Sequence, residues 1–285
     1  MTSKPDRILL TFWGTRGSIA TPGRITEKYG GNPACISLEF KDQMVILDAG
    51  TGIRRFGNKL AEENVNNVNF IFTHAHWDHL MGFPFFKPLY TSRSRFRLHG
   101  CPFHSQFVES ILSTVMAPPN FPVRYEDLKA EMVYEKACPQ KFDIDSVAVT
   151  PIPISHPNGG SGYKFEEDGK TFVFLTDNEL GFTHPGGRKF KDYVEFAAGA
   201  DLLIHDSEYT PEEYQTFIEW GHSVYTDVLQ LAREAGVKRL GLFHINQERT
   251  DDQMNDMVEA CRQYIAEQGL EFECIGVASD MKFEL

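Results

Sequence analysis

The run Thr-His-Ala-His-Trp-Asp-His at 73–79 places His74, His76, Asp78 and His79 within six residues of one another. Imidazole nitrogen and carboxylate oxygen are the donors that borderline divalent metals favour, and a tight loop can aim such a run at two neighbouring ions. The run directly follows the apolar segment 68–72, where a surface cluster of histidines or a helix cap would have no reason to sit. His156, Asp177 and His244 each stand just beyond another apolar segment, as do Asp48 and the pair His205-Asp206. Any one of these histidines alone would read as an ordinary hydrogen-bonded residue. Their joint placement points instead to a metal centre on His74, His76, Asp78, His79, His156, Asp177 and His244. Two cations sharing a water would lower its pKa from about 15.7 towards about 7, supplying hydroxide at neutral pH. Asp78 could also orient that hydroxide or accept its proton, and no serine or cysteine nucleophile is signalled.

The elements that must position these groups are short. Apolar, β-branched runs at 7–13, 34–40, 44–47, 68–72, 147–154, 171–175, 202–204 and 240–243 read as strands, several of them buried on both faces. Helical spacing links Ile53, Phe56 and Leu60, then Phe107, Ile111 and Val115, then Val228 and Leu231, then Met254, Met257 and Cys261. Strands interleaved with helices predict an α/β fold with helices outside the sheets. Functional groups gathered beyond the carboxyl ends of successive strands are what the active edge of such a fold presents. The stretch 83–136, with Pro-Pro-Asn-Phe-Pro at 118–122, is the least regular. It reads as a lid or pocket insertion within a single domain spanning 1–285.

The 73–79 run resembles the HxHxDH signature of the metallo-β-lactamase superfamily. The other landmarks occur in that family's order, with Leu-Asp-Ala-Gly at 47–50 before it and His156, Asp177 and His244 after it. The resemblance covers essentially the whole chain and implies an αβ/βα sandwich with metals between the upper edges of two sheets. Carried over residue by residue, it has His74, His76 and His156 bind a first metal, Asp78, His79 and His244 a second, and Asp177 bridge both. Asp48 resembles the carboxylate that orients the histidine loop, fixing ligand tautomers. The implied cofactors are two divalent ions, zinc foremost, with manganese or iron accepted by the same donors.

Within the superfamily, a bridging aspartate at Asp177 departs from the true β-lactamases, and His76 stands where the iron oxidoreductases carry a glutamate. Gly-Thr-Arg-Gly-Ser at 14–18, Tyr-Gly-Gly-Asn at 29–32, and His205-Asp206 ahead of Gly221-His222-Ser223 point to the phosphodiesterase branch. The last pair is similar to the His-Glu…Gly-His-Ser pattern of ribonuclease Z and related cyclic-phosphate diesterases, with Asp206 replacing the glutamate. A histidine held by a carboxylate could protonate the alkoxide leaving group, worth roughly 10²–10⁴-fold. The alternative for His222 is an N-terminal residue at the start of a helix over 224–235. Arg16 is a candidate phosphate contact or a structural cation. The 14–18 motif and His-Trp-Asp-His-x-x-Gly-Phe-Pro-Phe-Phe are also similar to a set of bacterial metallo-hydrolases with no settled substrate.

The chain carries a net charge of −12 over 285 residues and has no Lys/Arg-rich run. Grip on long nucleic acid normally comes from clustered positive charge, and no long Gly/Pro-rich arm of the kind that grips tRNA is present. The expected partner is therefore a small phosphodiester, cyclic nucleotides included, and not a long nucleic acid. Phe83, Phe85, Phe86 and Tyr90 either stack on a base or belong to the core. The alternatives are a carboxylic ester, lactone or thioester hydrolase on the same metals, a tRNA 3′-processing endonuclease, or a metal-binding module without turnover. The complete ligand set argues against the last. No run resembles a signal peptide or a membrane span. Cys35, Cys101, Cys138, Cys261 and Cys274 are odd in number and form no CxxC pair. Reduced thiols and a cytoplasmic location are thus expected, with no membrane partner and a homo-oligomer left open. His99, His104 and His184 read as loop or surface residues, and His205 as a buried neighbour of the site.

Overall fold

The computed structural model describes residues 7–99, 108–135 and 140–285, so Cys101, His104, Phe107, Lys136 and Cys138 lie outside the described residues. The first sheet contains β1 (Leu9–Gly14), β2 (Cys35–Glu39), β3 (Met44–Leu47), β4 (Asn67–Ile71), β5 (Arg95–His99), β6 (Glu131–Glu135) and the final strand β14 (Lys282–Glu284). The second contains β7 (Phe142–Ile144), β8 (Val147–Pro153), β9 (Ser161–Glu167), β10 (Lys170–Leu175), β11 (Leu202–Asp206), β12 (Arg239–Phe243) and β13 (Glu273–Gly276). Their orders are β14-β1-β2-β3-β4-β5-β6 and β13-β12-β11-β10-β9-β8-β7.

Strand alternation decides how these sheets pack. Phe12, Leu47 and Ile71 of the first sheet meet Phe165, Phe172, Phe174, Ile204 and Phe243 of the second in one buried layer. The intervening residues point outward. Ile46, Phe70 and Phe96 lie under Ile53, Phe56 and Leu60 of α1 (Ile53–Glu63). Val173, Leu203 and Leu240 lie under Val228 and Leu231 of α6 (Tyr225–Ala235), and under Met254, Met257 and Cys261 of α7 (Asp251–Glu267). The result is the expected αβ/βα sandwich, with apolar residues on both faces of its central strands. Two shorter helices, α4 (Phe190–Ala197) and α5 (Pro211–Phe217), complete the outside of the second half.

Two parallel runs set up the site. β3, β4, β5 and β6 run parallel, as do β10, β11, β12 and β13. Their carboxyl ends therefore open together, and the loops beyond them carry the polar residues.

The reading of 83–136 as an irregular insertion is corrected. β5 and β6 lie inside it and finish the first sheet. The segment Arg95–His99 lies between β4 and β6 but alternates exposed arginines with buried Phe96 and Leu98, so its apolar run is too broken to stand out in sequence. The short helix α3 (Val108–Val115) does face the site. Val108 and Leu112 are buried in the core, while Ile111 and Val115 line a cleft beside the histidine loop. His99 is corrected as well: it is buried in β5, 2.9 Å from Asn69 Oδ1 and stacked on Phe142. Among the described cysteines, Cys35, Cys261 and Cys274 are buried free thiols.

Candidate metal centre

Three residues leave their strands in the same unusual way. Asp48 beyond β3, Asp177 beyond β10 and His244 beyond β12 have φ of 58°, 52° and 55°, in the left-handed region. Asp and His tolerate it better than most residues, at roughly 1–3 kcal/mol each. The turn swings each side chain off the strand end into the space between the two sheets. The histidine loop enters from β4 and runs into the one-turn helix α2 (Trp77–Leu80), which carries Asp78 and His79.

The side chains converge. His74, His76, His156 and Asp177 form one group of ligand-type atoms within 4.8 Å of one another, and Asp78, His79, Asp177 and His244 form a second. Asp177 belongs to both. Its Oδ1 is 3.3 Å from His79 Nε2, and its Oδ2 is 3.2 Å from His244 Nε2 and 3.5 Å from His74 Nε2. Asp78 Oδ2 is 3.2 Å from both His79 Nε2 and His244 Nε2. His156 Nε2 and His76 Nδ1 approach to 3.0 Å.

The donor set fits divalent cations on a specific ground. His74 Nε2 and His79 Nε2 are buried, and although carboxylate oxygens lie 3.2–3.5 Å away, neither nitrogen makes a hydrogen bond, a costly state for polar atoms unless something else binds them. Outer contacts fix the opposite ring nitrogens. His79 Nδ1 is 2.8 Å from Asp48 Oδ2, His156 Nδ1 is 2.9 Å from the Gly221 carbonyl, and His244 Nδ1 is 3.0 Å from Glu208 Oε2. Each contact leaves Nε2 as the lone-pair nitrogen facing inward. Asp48 also accepts from the Thr73 amide and hydroxyl, both at 2.8 Å, tying it to the base of the histidine loop.

Electrostatics agree with this geometry. Burial alone would raise the Asp78 and Asp177 carboxyls, but the neighbouring histidines hold both well below the usual range. Burial and adjacent imidazoles push His74 well down, and burial takes His156 to about 3. Ionised carboxylates beside neutral imidazoles are the protonation state that metal binding requires. His79 and His244, each against Asp78 and Asp177, are instead raised despite burial, an excess of negative charge that cations would relieve.

His222 and Asp206 lie at the rim of the second group. His222 Nδ1 is 3.1 Å from Asp206 Oδ2 and 3.4 Å from Glu208 Oε2, and its ring stacks on His244 at 4.8 Å. Burial disfavours its charge, but Glu208 and Asp206 outweigh that and raise it to about 9. Asp206 is itself held by the amides of Asn178, Glu208 and Ser223. His205 is the buried, hydrogen-bonded neighbour expected, 3.1 Å from Asn178 Nδ2.

Several residues differ from expectation. Arg16 is fully buried, and its guanidinium donates to the carbonyls of Gly30, Asn246 and Arg249. It ties loops together and is not available to a phosphate. The 14–18 motif serves the site otherwise: the Ser18 amide donates to Asp78 Oδ2 at 2.9 Å, and a Cβ on Gly17 would sit 2.5 Å from the His244 ring. Phe83 and Phe86 are core residues, and the Tyr90 hydroxyl donates to the Pro84 carbonyl. The exposed Phe85 packs against Phe121, so this aromatic group is no base platform as a set. His184 is not a surface residue but is buried with Nε2 2.8 Å from Glu179.

Glu179 and Glu208 were not foreseen. Glu179 accepts from the Gly221 and Glu219 amides, both at 2.8 Å, and so sets the carbonyl that orients His156. Gly221 must be glycine here, since at φ 92° an added Cβ would meet His156 Nδ1 at 2.0 Å. The one signal for Glu208 is the Asp206-x-Glu208 spacing, which continues the strand alternation and puts both carboxylates on one side.

Beside His74 and His76 opens a cleft of about 410 Å³, lined further by Trp77, Ile111, Thr114, Val115, Asn120 and Asn158.

The beta-lactamase superfamily domain matches residues 43–245 of this chain. The ribonuclease Z of Picrophilus torridus is 26% identical and aligns over 97% of each chain. In structure, the metallo-β-lactamase fold protein YhfI of Bacillus subtilis superposes with a TM-score of 0.71 at 16% identity, covering 98% of this chain and 100% of its own. The short form of human tRNase Z superposes with a TM-score of 0.64 at 19% identity, covering 96% and 98%. These relatives correct the expectation that no long nucleic acid is a partner, since proteins matching nearly end to end are named as RNA-cleaving enzymes. Net charge sums over the whole surface and does not describe the ground around one site. No described helix is long and apolar enough to cross a membrane. The match from 43 to 245 takes in β3 to β12 and the donor residues from Asp48 to His244, so the chain belongs to the beta-lactamase superfamily, as a metallo-hydrolase of the ribonuclease Z-like branch.

Proposed function

We propose that the chain is a dinuclear phosphodiesterase acting on small or cyclic phosphodiesters. The observation that carries the reading is Asp177 shared between two donor groups, with a carboxylate-held histidine, His222, stacked on a member of one of them. His74, His76 and His156 would hold one cation, Asp78, His79 and His244 the other, and Asp177 both, with zinc the first candidate and manganese or iron acceptable to the same donors. Bound there, the metals supply an activated water and neutralise charge on the phosphoryl oxygens.

The protein's own groups do the rest. Asp48, Glu208 and the Gly221 carbonyl fix the imidazoles, and Asp78 orients the nucleophile from its place beside His244. Asp206 and Glu208 hold a proton on His222 Nδ1, and the ring, kept cationic by them, donates from Nε2 to the departing alkoxide. A carboxylic ester or thioester would not need that donor.

A second reading, cleavage of RNA, is favoured by the relatives named ribonuclease Z. The test is to load purified protein with zinc or manganese and compare cyclic nucleotides, nitrophenyl phosphodiesters, a thioester and an unprocessed tRNA. Turnover of the thioester alone would overturn the phosphodiesterase reading. Efficient, salt-sensitive tRNA cleavage without cyclic-nucleotide turnover would select the RNA substrate.

A further inference from the structure

Two of the three tryptophans are largely exposed, Trp77 at 69% and Trp220 at 61% of their surface. Both sit next to site residues. Trp77 lies between His76 and Asp78. Trp220 precedes Gly221, whose carbonyl is 2.9 Å from His156 Nδ1, and His156 Nε2 is 3.0 Å from His76 Nδ1. Both residues are therefore one position away in the chain from the same short line of contacts, and Trp77 itself lines the cleft beside His76. Trp220 is braced edge-on by Phe217 at 5.2 Å. No other described ring packs on Trp77. Trp13, by contrast, is buried and stacked on Phe56.

We propose that Trp77 and Trp220 form a nucleobase-stacking site that holds the substrate beside the scissile phosphodiester. The proposal rests on the phosphodiesterase reading for what occupies the centre itself. The cleft under Trp77 identifies the occupant. Its walls offer apolar surface from Ile111 and Val115 and uncharged polar groups from Thr114, Asn120 and Asn158, with no Lys, Arg, Asp or Glu among the described residues that line it. A flat, neutral heterocycle with donors and acceptors on its edge satisfies both kinds of wall. An acyl chain would use neither Asn120 nor the side-chain carbonyl of Asn158, whose Nδ2 already lies 3.3 Å from His76 Nε2. Stacking tolerates any base and needs no cation. This is how a chain of net charge −12, with Arg16 committed to backbone carbonyls, can hold a nucleotide or a strand.

The experiment is a fluorescence titration of the zinc-loaded full chain with AMP, with ribose 5-phosphate and with the single-stranded RNA pentaadenylate. AMP and pentaadenylate should quench the exposed indoles and bind at least about tenfold more tightly than ribose 5-phosphate. Trp77→Ala should reduce that preference about tenfold for AMP. For pentaadenylate, Trp77→Ala and Trp220→Ala should each do so, because a strand engages both rings. Both side chains are exposed, so the melting temperature of each variant checks that folding is intact. Equal binding of AMP and ribose 5-phosphate would overturn the proposal, as would a preference untouched by either substitution. Substitutions that turn a dimer into a monomer while leaving the preference intact would assign the rim to a second copy of the chain and also overturn it. Base preference that depends on Trp77 in a protein turning over no diester would keep the stacking site and remove the phosphodiesterase reading. Turnover of diesters with no base preference would do the reverse.

Discussion

Glu208 Oε2 lies 3.0 Å from His244 Nδ1, and the same oxygen lies 3.4 Å from His222 Nδ1. One buried carboxylate thus orients a member of the second donor group and faces the candidate proton donor. Its other oxygen accepts from Asn246 Nδ2 at 2.9 Å. Outer partners of this kind set ligand tautomer and basicity, and losing one typically costs about 10–100-fold in metal affinity. Glu208→Gln should therefore weaken binding of one of the two ions by about that factor, with the other retained. Competition against a chelator, read as zinc per chain, measures it. Equal weakening of both ions would contradict a role centred on His244.

Asp177 makes a sharper demand on stoichiometry. Its two oxygens reach His79, His244 and His74, so Asp177→Ala should reduce both ions together. His156 belongs to one group only, and His156→Ala should leave close to one ion per chain. Elemental analysis of protein purified without chelator distinguishes the two outcomes. A metal-free preparation with full activity would remove the metal reading altogether.

Much of this was legible because metal-type donors in a family order are hard to place by accident. His74 to His79, His156, Asp177 and His244 could be named from spacing and resemblance, and the structure brings them within reach of one another. The helices read from Ile53, Phe56 and Leu60, and from Met254, Met257 and Cys261, formed as expected because their apolar spacing matches the helical repeat. What escaped depended on tertiary context. Arg16 looks like any arginine in a glycine-rich loop until its carbonyl partners are seen. Glu179 and Glu208 are ordinary acids until the fold buries them beside histidines. β5 was hidden because only one face of its first four residues is buried, and Arg95 and Arg97 on the other face break the run.

His99 gives a pH prediction away from the site. Burial, helped by Arg97, lowers its pKa from the ordinary 6.5 to about 4. The folded protein thus holds His99 neutral where the unfolded chain would protonate it. This contribution to stability is fully present above about pH 6.5 and is lost as pH falls towards 4, at most roughly 3 kcal/mol. His99→Gln can still donate to Asn69 Oδ1 but cannot titrate. Between pH 7.5 and 5, metal-free H99Q should lose fewer degrees of melting temperature than the metal-free parent. Equal losses would show that His99 is not excluded from protonation by folding.

The proton-donor role of His222 has a consequence that metal binding alone does not. Its ring packs on His244 and is held through Nδ1 by Asp206 and Glu208, and neither donor group is completed by it. His222→Ala should therefore leave metal content near that of the parent while phosphodiester turnover falls by roughly 10²-fold or more, the scale of a lost general acid. The defect should depend on the leaving group. An alkoxide from a nucleotide diester needs a proton as the P–O bond breaks, whereas nitrophenolate departs with little help. The ratio of parent to H222A rates should accordingly be large for an alkyl or nucleoside leaving group and small for nitrophenol. Asp206→Asn should produce the same pattern in weaker form, because it leaves the imidazole in place but weakens the hold on its proton. An equal loss on good and poor leaving groups in both variants would contradict proton donation and make His222 a group that positions the phosphate.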